Sequence, residues 1–354
     1  MATTEYGVND ALAVKLWAKK LFQEALKQTY ASKFMGSGAD AVIQIKGETS
    51  KSAGDQITIG LRMQLSGSGV QGDGTLEGNE ESLTTYSDAV VINQLRHAVR
   101  SAGKMSEQRV PFSVREEARQ GLTDWWADRI DTWFFNQVCG YTAQTDTRFT
   151  GNNAVVAPDA NHRVFATGSD DQTVNGSSAS VMTLTMIDRA VERAKILSPM
   201  IRPIKMNGED VYVMFLHPFQ VYDLRTSTSA GQWLDIQKAA MAGSRASESP
   251  IFKGSLGMYN GVILHESTRI TNGVHSGTGA VQTSTRRAVL CGAQSAVVAY
   301  GKDSSGGEMS WVEEMFDYGN QLGVSAGMIG GLKKTRFNSQ DFGTITVSTN
   351  AVQH

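Results

Sequence analysis

A run of alternating apolar residues places the tightest constraint on the fold of this chain. Between Asp55 and Leu65 every second residue from Ile57 onward is apolar, which predicts a β-strand about 35 Å long with one apolar face. A glycine-rich turn over Ser66–Gly78 follows, and a β-prone run, Leu83–Leu95, brings the chain back. A two-stranded ribbon is marginally stable alone in water, so its apolar face needs a cover from its own domain or from another chain. The pattern is typical of an assembly protein.

A long helix is predicted directly after this hairpin. Ser113 and Glu116 have the spacing of a capping box, and Gly140 supplies a stop signal about 25 residues later. Apolar residues recur every fourth position between them, at Ala118, Leu122, Trp126, Ile130, Phe134 and Val138. We interpret this stripe, widened by Trp125 and Trp133, as hydrophobic core and not as an aromatic ligand cage, because no titratable group converges with it.

Composition restricts the class of protein. The chain has 354 residues, a net charge of −2 and no run of Lys or Arg, which argues against a strongly basic nucleic-acid reader. Its two cysteines, Cys139 and Cys291, are isolated, so neither a disulfide framework nor a metal clip is predicted. Neither a secretory signal nor a membrane-spanning stretch is recognisable. We expect a soluble protein made in a cytoplasm, with no cofactor.

The remaining elements are predicted from periodicity and from turn signals. An amphipathic N-terminal helix is predicted to dock on its own core or on a neighbour. A polar segment is predicted to run over the surface between two domains. A compact α/β region then precedes terminal β-ribbons that are predicted to pack on the long helix. Helices are predicted over Asp10–Tyr30, Met186–Leu197, Pro218–Arg225, Trp233–Met241 and Ala293–Tyr300. The polar excursion is Thr142–Ser180, and strands are predicted over Ala41–Ile45, Val211–Leu216, Val262–His265, Ala288–Cys291, Trp311–Tyr318, Leu322–Ile329, Leu332–Phe337 and Gly343–Ser348.

Two patterns in the hairpin loop suggest ligands but lack the required context. Gly67–Gly72 matches the dinucleotide fingerprint, yet acidic residues follow where that motif needs a helix that holds phosphate. Alternate oxygen-bearing residues from Asp73 through Thr75, Glu77 and Asn79 to Glu81 could bind Ca²⁺, but they lack the spacing of a known calcium loop. We favour a solvated acidic loop that meets a basic partner surface.

Two further patterns resemble catalytic motifs but also lack their context. Gly323–Gly327 matches the G-x-S-x-G nucleophile elbow around Ser325, with Asp341 and His354 following in the hydrolase order. The residues after it are β-prone, whereas an elbow needs a helix there, and His354 lies in a polar tail. His265 begins a zinc-protease motif in which Arg269 occupies the position of the second histidine. The sequence therefore predicts no enzyme, and a serine hydrolase using Ser325 is retained as an alternative.

The order of these parts, together with several short phrases, carries a resemblance to a known family. The phrases are Lys104-Met-Ser-Glu-Gln-Arg109, Asp124-Trp-Trp-Ala-Asp-Arg-Ile-Asp131, Pro250-Ile-Phe-Lys-Gly-Ser-Leu-Gly257, Asp317-Tyr-Gly-Asn320 and Gly330-Gly-Leu-Lys-Lys334. The chain resembles the major capsid proteins of tailed bacteriophages, with the HK-ninety-seven-type shell fold, and among them the phage N-four-type family. The resemblance covers essentially the whole chain.

This resemblance implies an α+β fold and a structural role. The expected parts are an N-terminal arm (1–54), an extended hairpin loop (55–100), a peripheral domain with the long spine helix (101–199), an axial α/β domain (200–305) and C-terminal β-ribbons of the peripheral domain (306–354). Copies would form pentamers and hexamers of an icosahedral shell around double-stranded DNA, assembled in the bacterial cytoplasm. Portal, scaffolding or decoration proteins are expected partners, and a membrane is not.

The hairpin supplies most of the expected subunit contacts. The candidates are Ile59, Leu61, Arg62, Met63, Glu77, Glu80, Glu81, Arg96 and Arg100. Some shells of this fold cross-link Lys to Asn; Lys46 and Lys51 lie near the arm, but no pattern supports that chemistry here. An encapsulin-like nanocompartment of the same fold, enclosing an enzyme instead of a genome, is the other alternative.

Overall fold

A computed structural model describes residues 21–47, 56–63, 65–111, 113–206, 208–226, 257–301 and 308–353. Its helices are α1 (21–28), α2 (Lys104–Gln108), α3 (Val114–Val138), α4 (Asp171–Val174), α5 (Leu184–Ile196) and α6 (Pro218–Thr226). None of the helices in these ranges is both long and apolar enough to span a bilayer. The predicted helix over Trp233–Met241, the first half of the Asp10–Tyr30 helix, Lys51 and His354 lie outside the described residues.

Two large sheets and two small ribbons contain the described strands. The first strands are β1 (Met35–Gly36), β2 (Ile43–Lys46), β3 (Gln56–Arg62), β4 (Thr85–Val91), β5 (Asn93–Arg100), β6 (Arg163–Phe165), β7 (Ile204–Met206), β8 (Glu209–Leu216) and β9 (Met258–Tyr259). They are followed by β10 (Val262–Glu266), β11 (Asn272–Val274), β12 (Val281–Cys291), β13 (Ala296–Tyr300), β14 (Met309–Phe316), β15 (Gln321–Lys334), β16 (Arg336–Phe337), β17 (Gln340–Asp341) and β18 (Thr344–Asn350).

The first large sheet packs on the spine helix α3. Its strand order is β1-β2-β13-β15-β14, and β5 pairs with β15 outside this path. Trp126 and Trp133 of α3 are buried in one core with Trp311 and Met328 of the sheet. The predicted stripe along the spine and its tryptophans are therefore core, and the predicted packing of C-terminal ribbons on the spine is confirmed for β14 and β15.

One predicted helix belongs to this sheet as a strand. Ala296–Tyr300 forms β13, which pairs parallel to β2 and antiparallel to β15 and is buried throughout. The expected helix over Ala293–Tyr300 is wrong, because a short continuous apolar run fits a strand buried on both faces as well as it fits a helix.

The second large sheet has the order β6-β18-β12-β8-β10-β9, with β7 on β8 and β11 on β12. The predicted buried strand Val211–Leu216 forms most of β8, and β10 lies parallel to it. Helix α5 covers one face, where Ile187 and Val191 share a core with Leu290 and Val347. The terminal strand β18 pairs with β12 in this sheet and not with the ribbons on the spine.

The spine helix runs as predicted from Val114 to Val138, but the side chain of Ser113 does not cap it. Glu116 forms a salt bridge with Arg119, one turn later, in place of the reciprocal capping box. At the other end the predicted stop is present, since Gly140 has a φ of +63° and an added Cβ would lie 2.5 Å from Pro158. The helix boundaries were thus predicted correctly and one capping contact was not.

The described part of the N-terminal helix docks on its own chain. Leu21 and Ala25 are fully buried in the core of the spine helix. The Asp131 carboxylate on the spine accepts hydrogen bonds from the backbone N–H groups of Tyr30 and Ala31 at 2.9 and 2.8 Å. Of the two readings of this helix, docking on its own core holds for residues 21–31.

The polar segment Thr142–Ser180 is more than a surface excursion. It contributes β6 to the second sheet and contains α4, where Asp171 and Val174 are buried. Asn153 is also buried, and its side chain bonds the backbone of Val91 and Gly151. Polar composition gave the wrong expectation because these side chains satisfy buried backbone groups instead of facing water.

Candidate subunit interface

The hairpin has the register that its alternation predicts. Strand β3 pairs antiparallel with β4 from Gln56 opposite Val91 to Arg62 opposite Thr85. Side chains on the apolar face become steadily more exposed toward the tip: Ile57 is 6% exposed, Ile59, Leu61 and Met63 are half-buried, and Leu65 is 54% exposed. The cover of this face therefore ends part-way along the arm.

The base of the hairpin is covered by its own chain. Ile57 and Val90 form a small core with Ile92 and with Val297 and Ala299 of β13. Of the two covers left open by the sequence, the chain's own fold supplies the one at the base, and a neighbouring copy is not needed there. Beyond the base, Leu61 and Met63 line a cleft of about 180 Å³ opposite a second wall that includes Pro199, Phe337 and Phe342.

A group of polar contacts fixes the arm to the sheet beneath it. The Asp88 carboxylate of β4 accepts a hydrogen bond from the Lys333 ammonium at 2.5 Å and another from the Arg336 backbone N–H at 3.1 Å. Next to it, Lys334 and Asp341 form a buried ion pair at 2.8 Å. The sequence predicted a role for only one of these residues, Asp341, as the acid of the hydrolase pattern, and the family phrase Gly330-Gly-Leu-Lys-Lys334 contains no signal of a buried lysine.

The tip, residues 65–84, is exposed along its whole length. Glu81 closes its neck, because its carboxylate accepts hydrogen bonds from the backbone N–H groups of Ser66 at 2.8 Å and Gly67 at 2.6 Å. These backbone bonds lower the pKa of Glu81 below its ordinary value. Glu80 accepts from the Gly78 N–H at 2.7 Å, and Glu77 points into solvent. The tip is thus ordered by its own hydrogen bonds while its apolar side chains stay uncovered.

The strand that leaves the hairpin continues almost without a break into the first large sheet. Residue 92 alone separates β4 from β5, and β5 pairs with β15 from Asn93 opposite Gly330 to Arg100 opposite Gly323. Arg96 and Arg100 are exposed on β5, and the Arg100 guanidinium lies 4.2 Å from the ring centroid of Phe316. The contact candidates therefore form two groups, one on the arm and its tip and the other on β5.

The two ligand motifs of the tip are not formed. No helix follows Gly67–Gly72 within residues 65–84, so a pyrophosphate would have no helix N-terminus to bind. The described residues contain no group of three or more His, Cys, Asp or Glu side chains that could hold a metal ion. Glu81, the last member of the alternating acidic set, is engaged by the neck of the loop.

The hydrolase arrangement is contradicted by the fold. Ser325 lies in the middle of β15, opposite Ala98 and Val312, and not at a turn from a strand to a helix. The Asp341 carboxylate is paired with Lys334 and with Arg336 and contacts no histidine among the described residues. His265 packs against aromatic rings 5.0 Å from Phe34, and burial lowers its pKa. The nucleophile-elbow alternative is therefore wrong in its geometry.

Comparison with known proteins assigns the architecture to a family. The family model described as phage capsid protein matches residues 5–353. The chain belongs to that family. This capsid protein is 28% identical over 365 residues to the major capsid protein of Pseudomonas phage KPP25. The alignment covers 94% of this chain and 93% of the relative.

Solved structures of phage shells share its fold. The capsid of Ralstonia phage GP4 is 34% identical to this capsid protein, covers 99% of both chains and superposes with a TM-score of 0.77. The capsid of cyanophage Pam1 is 21% identical, covers 93% of this chain and 94% of its own, and has a TM-score of 0.74, a likeness that shows the fold alone. The predicted α+β phage-capsid fold is confirmed. The protein is a structural protein of the phage shell and a component of the virion.

Proposed function

We propose that this capsid protein assembles with itself, as pentamers and hexamers, into a closed icosahedral shell around the double-stranded DNA of a tailed phage, and that its hairpin arm lies over the next subunit. The observation that supports this most strongly is the uncovered tip. Leu65, Leu76 and Leu83 are 54%, 61% and 61% exposed, and among the described residues the side-chain hydrogen bonds of this loop join it to itself. Exposed apolar side chains grouped on one protruding segment are typical of an interaction site.

The charge of the chain fits enclosure of DNA without base-specific binding. DNA-binding proteins owe most of their affinity to Lys and Arg side chains that neutralise backbone phosphates. A chain with a net charge of −2 has no excess of such cations. Contacts with portal, scaffolding or decoration proteins belong to the same proposal. The nanocompartment alternative is tested by the contents of purified native particles: double-stranded DNA supports the proposal, and an enclosed enzyme without DNA contradicts it.

Electron microscopy and light scattering of the purified protein test the assembly directly. We expect particles of megadalton mass. A monomer that persists at micromolar concentration under all salt and pH conditions would contradict the proposed assembly.

Deletion of Gly67–Glu81 separates the role of the arm from folding. The base of the hairpin keeps its own core of Ile57, Val90 and Ile92, so the shortened subunit should fold and unfold cooperatively. The same protein should fail to form closed shells. Loss of all soluble folded protein would show that the tip serves its own domain and would contradict the assigned role.

We also propose that the protein has no hydrolase activity, which the position of Ser325 inside β15 supports. Purified wild type and Ser325→Ala protein should hydrolyse a generic ester at the same background rate. A rate in the wild type that this substitution abolishes would restore the enzymatic alternative.

A further inference from the structure

A cleft between helix α5 and strand β6 presents two arginines that have no counter-ion among the described residues. The cleft encloses about 430 Å³ and is lined by these two elements and by the segment that follows α5. Arg189 and Arg193, one turn apart on α5, are exposed, and neither forms a salt bridge with a described residue. Glu192 also lines the cleft but pairs with neither guanidinium. Two arginines and one glutamate give the lining a net positive charge.

Backbone carbonyl groups of β6 hold both arginines in place. The Nη1 atom of Arg193 donates to the carbonyl oxygen of Arg163 at 2.7 Å, and that of Arg189 donates to the carbonyl oxygen of Phe165 at 3.3 Å. A guanidinium carries five N–H donors. These bonds therefore fix the two groups and leave further donors for an acceptor in the cleft.

The same bonds determine what the free edge of β6 can bind. Strand β6 lies at the end of the second sheet, where it pairs parallel with β18. The Ala166 N–H donates to the Ser348 carbonyl of β18 at 3.1 Å. Since backbone groups alternate in direction along a strand, those of Arg163 and Phe165 point away from β18. Their carbonyls are occupied by the arginines, so the edge favours an anionic group over an added β-strand.

The cleft continues beneath the chain's own arm. Ser198 lines it and also lines the cleft of about 180 Å³ that Leu61 and Met63 of the arm border. The two cavities therefore adjoin at this residue and form one elongated groove. The walls of the second cavity include Phe337 and Phe342, whose rings lie 5.2 Å apart. The groove is thus basic at one end and apolar at the other.

Apolar side chains near the basic end favour a protein ligand over nucleic acid. Ile196 lines the cleft and is 73% exposed, and Met200 beyond it is 53% exposed. Surfaces that bind DNA are more polar and much more positively charged than this one, in which Glu192 also takes part. Cavities of this size hold small ligands or a few side chains. An extended segment therefore fits the groove better than a folded domain does.

We propose that this groove binds an extended segment of another protein of the particle, with an acidic residue at one end and apolar residues at the other. The carboxylate would lie between Arg189 and Arg193, where charge-assisted hydrogen bonds are strong, and the apolar side chains would fill the cleft beneath the arm. This inference rests on the proposed function, since it names a surface of the shell subunit that receives an accessory protein.

Fluorescence anisotropy of a labelled peptide on the unassembled subunit tests the groove. The probe is an acetylated Glu-Glu-Gly-Leu-Phe peptide, and the control probe has Gln in place of both Glu residues. The acidic peptide should bind at least about tenfold more tightly than the control peptide, because hydrogen bonds to a charged group contribute most of the difference. Added salt should weaken its binding. Equal affinities for the two peptides would overturn the inference.

Three near-isosteric substitutions locate the binding without removing either arginine. Asn161→Asp adds an acid to the lining and should weaken binding about twofold to fivefold, whereas Glu192→Gln removes one and should strengthen binding by a similar factor. Gln108→Glu, at an exposed position of α2 outside the groove, is the matched control and should change nothing. Circular dichroism melting shows that each variant is folded. Equal affinities of all three variants would contradict binding in the groove.

Two measurements test the other possible occupants. A short DNA duplex that binds more tightly than the peptide and responds in the same way to Asn161→Asp would assign the groove to nucleic acid and overturn the inference. Particles assembled from this chain alone should still bind the peptide. If only the unassembled subunit binds it, another copy of the chain fills the groove, and the assignment to a separate protein is wrong.

Failure of this inference is distinct from failure of the proposed function. Wild-type protein that forms no particles contradicts the proposed function, whatever the peptide does. Peptide binding to the unassembled subunit is measured without assembly, so particles from a wild type whose subunit does not bind the acidic peptide contradict the groove inference alone.

Discussion

The buried Arg287 guanidinium joins the end of the spine helix to the second sheet and allows a quantitative test of the fold. Its Nε and Nη2 lie 2.7 and 2.6 Å from one oxygen of Asp171, and its Nη1 donates to the backbone carbonyls of Cys139 and Gly140 at 3.2 and 2.6 Å. Asp171 also accepts the backbone N–H of Val274 at 2.8 Å. Arg287 and Asp171 are 6% and 1% exposed, so water cannot replace a lost partner.

Asp171→Ala removes the counter-charge and leaves a buried cation. Removal of one partner from a buried ion pair costs about 3 to 5 kcal/mol. A chain of 354 residues has an unfolding entropy of about 0.7 kcal/mol per kelvin, from about 2.1 cal/mol/K per residue. The melting temperature should therefore fall by about 4 to 7 °C.

Differential scanning calorimetry of the unassembled subunit measures this change. Asp146→Ala is the matched control, because it removes an acid from a surface ion pair with Arg148 and the cap of one short 3-10 turn, so the melting temperature should fall by only about 1 to 2 °C. Asp171→Leu combined with Arg287→Met should recover most of the loss, because no buried charge remains. If Asp171→Ala lowers the melting temperature no more than Asp146→Ala, the buried pair does not stabilise the junction and the reasoning is refuted.

Two further predictions concern a glycine and a histidine. Gly331→Ala should destabilise the subunit by about 1 to 3 kcal/mol, because the added Cβ would lie 2.0 Å from the Val91 carbonyl oxygen. Gly121→Ala, on the open side of the spine helix, should stabilise the subunit by about 1 kcal/mol. Denaturant titration that ranks the two variants the other way would contradict this packing. Burial lowers the pKa of His217 to about 4, and its Nδ1 accepts the Phe219 N–H at 3.2 Å. Since the unfolded chain binds this proton near pH 6.5, the free energy of unfolding should decrease by up to about 3 kcal/mol as the pH falls from about 6.5 to about 4. His217→Gln should flatten that slope in melting curves, and an unchanged slope would exclude His217 as its source.

Regular elements with a strong period were predictable from the sequence. The spine helix follows from a stripe at every fourth residue, and the hairpin follows from alternation between Ile57 and Leu65. The strand over Ala296–Tyr300 was not predictable, because an apolar run of five residues fits a buried helix equally well. Its identity is decided by β2 and β15, which approach it from distant parts of the chain.

Contacts between distant segments and the burial of charged side chains were also not predictable from the sequence. Alternation along the arm predicted an apolar face, but only the fold shows that Val297 and Ala299 cover its base and leave the tip open. Lys334 reads as a surface residue in sequence, yet it is 2% exposed and paired with Asp341. For the candidate interface, the sequence supplied the charged residues, and the register of β5 on β15 decides which side they face.

The nearly unbroken path from β4 into β5 connects the hairpin arm to the sheet on the spine helix through one run of strand. The run has 16 residues from Thr85 to Arg100, and its two ends belong to the arm and to the sheet on the spine helix, so its length sets how far the tip stands from that sheet. Two extra residues in the run would lengthen it by about 7 Å while keeping every side chain on its face. The reach of the arm beyond its own sheet is therefore set by the number of residues in one run of strand.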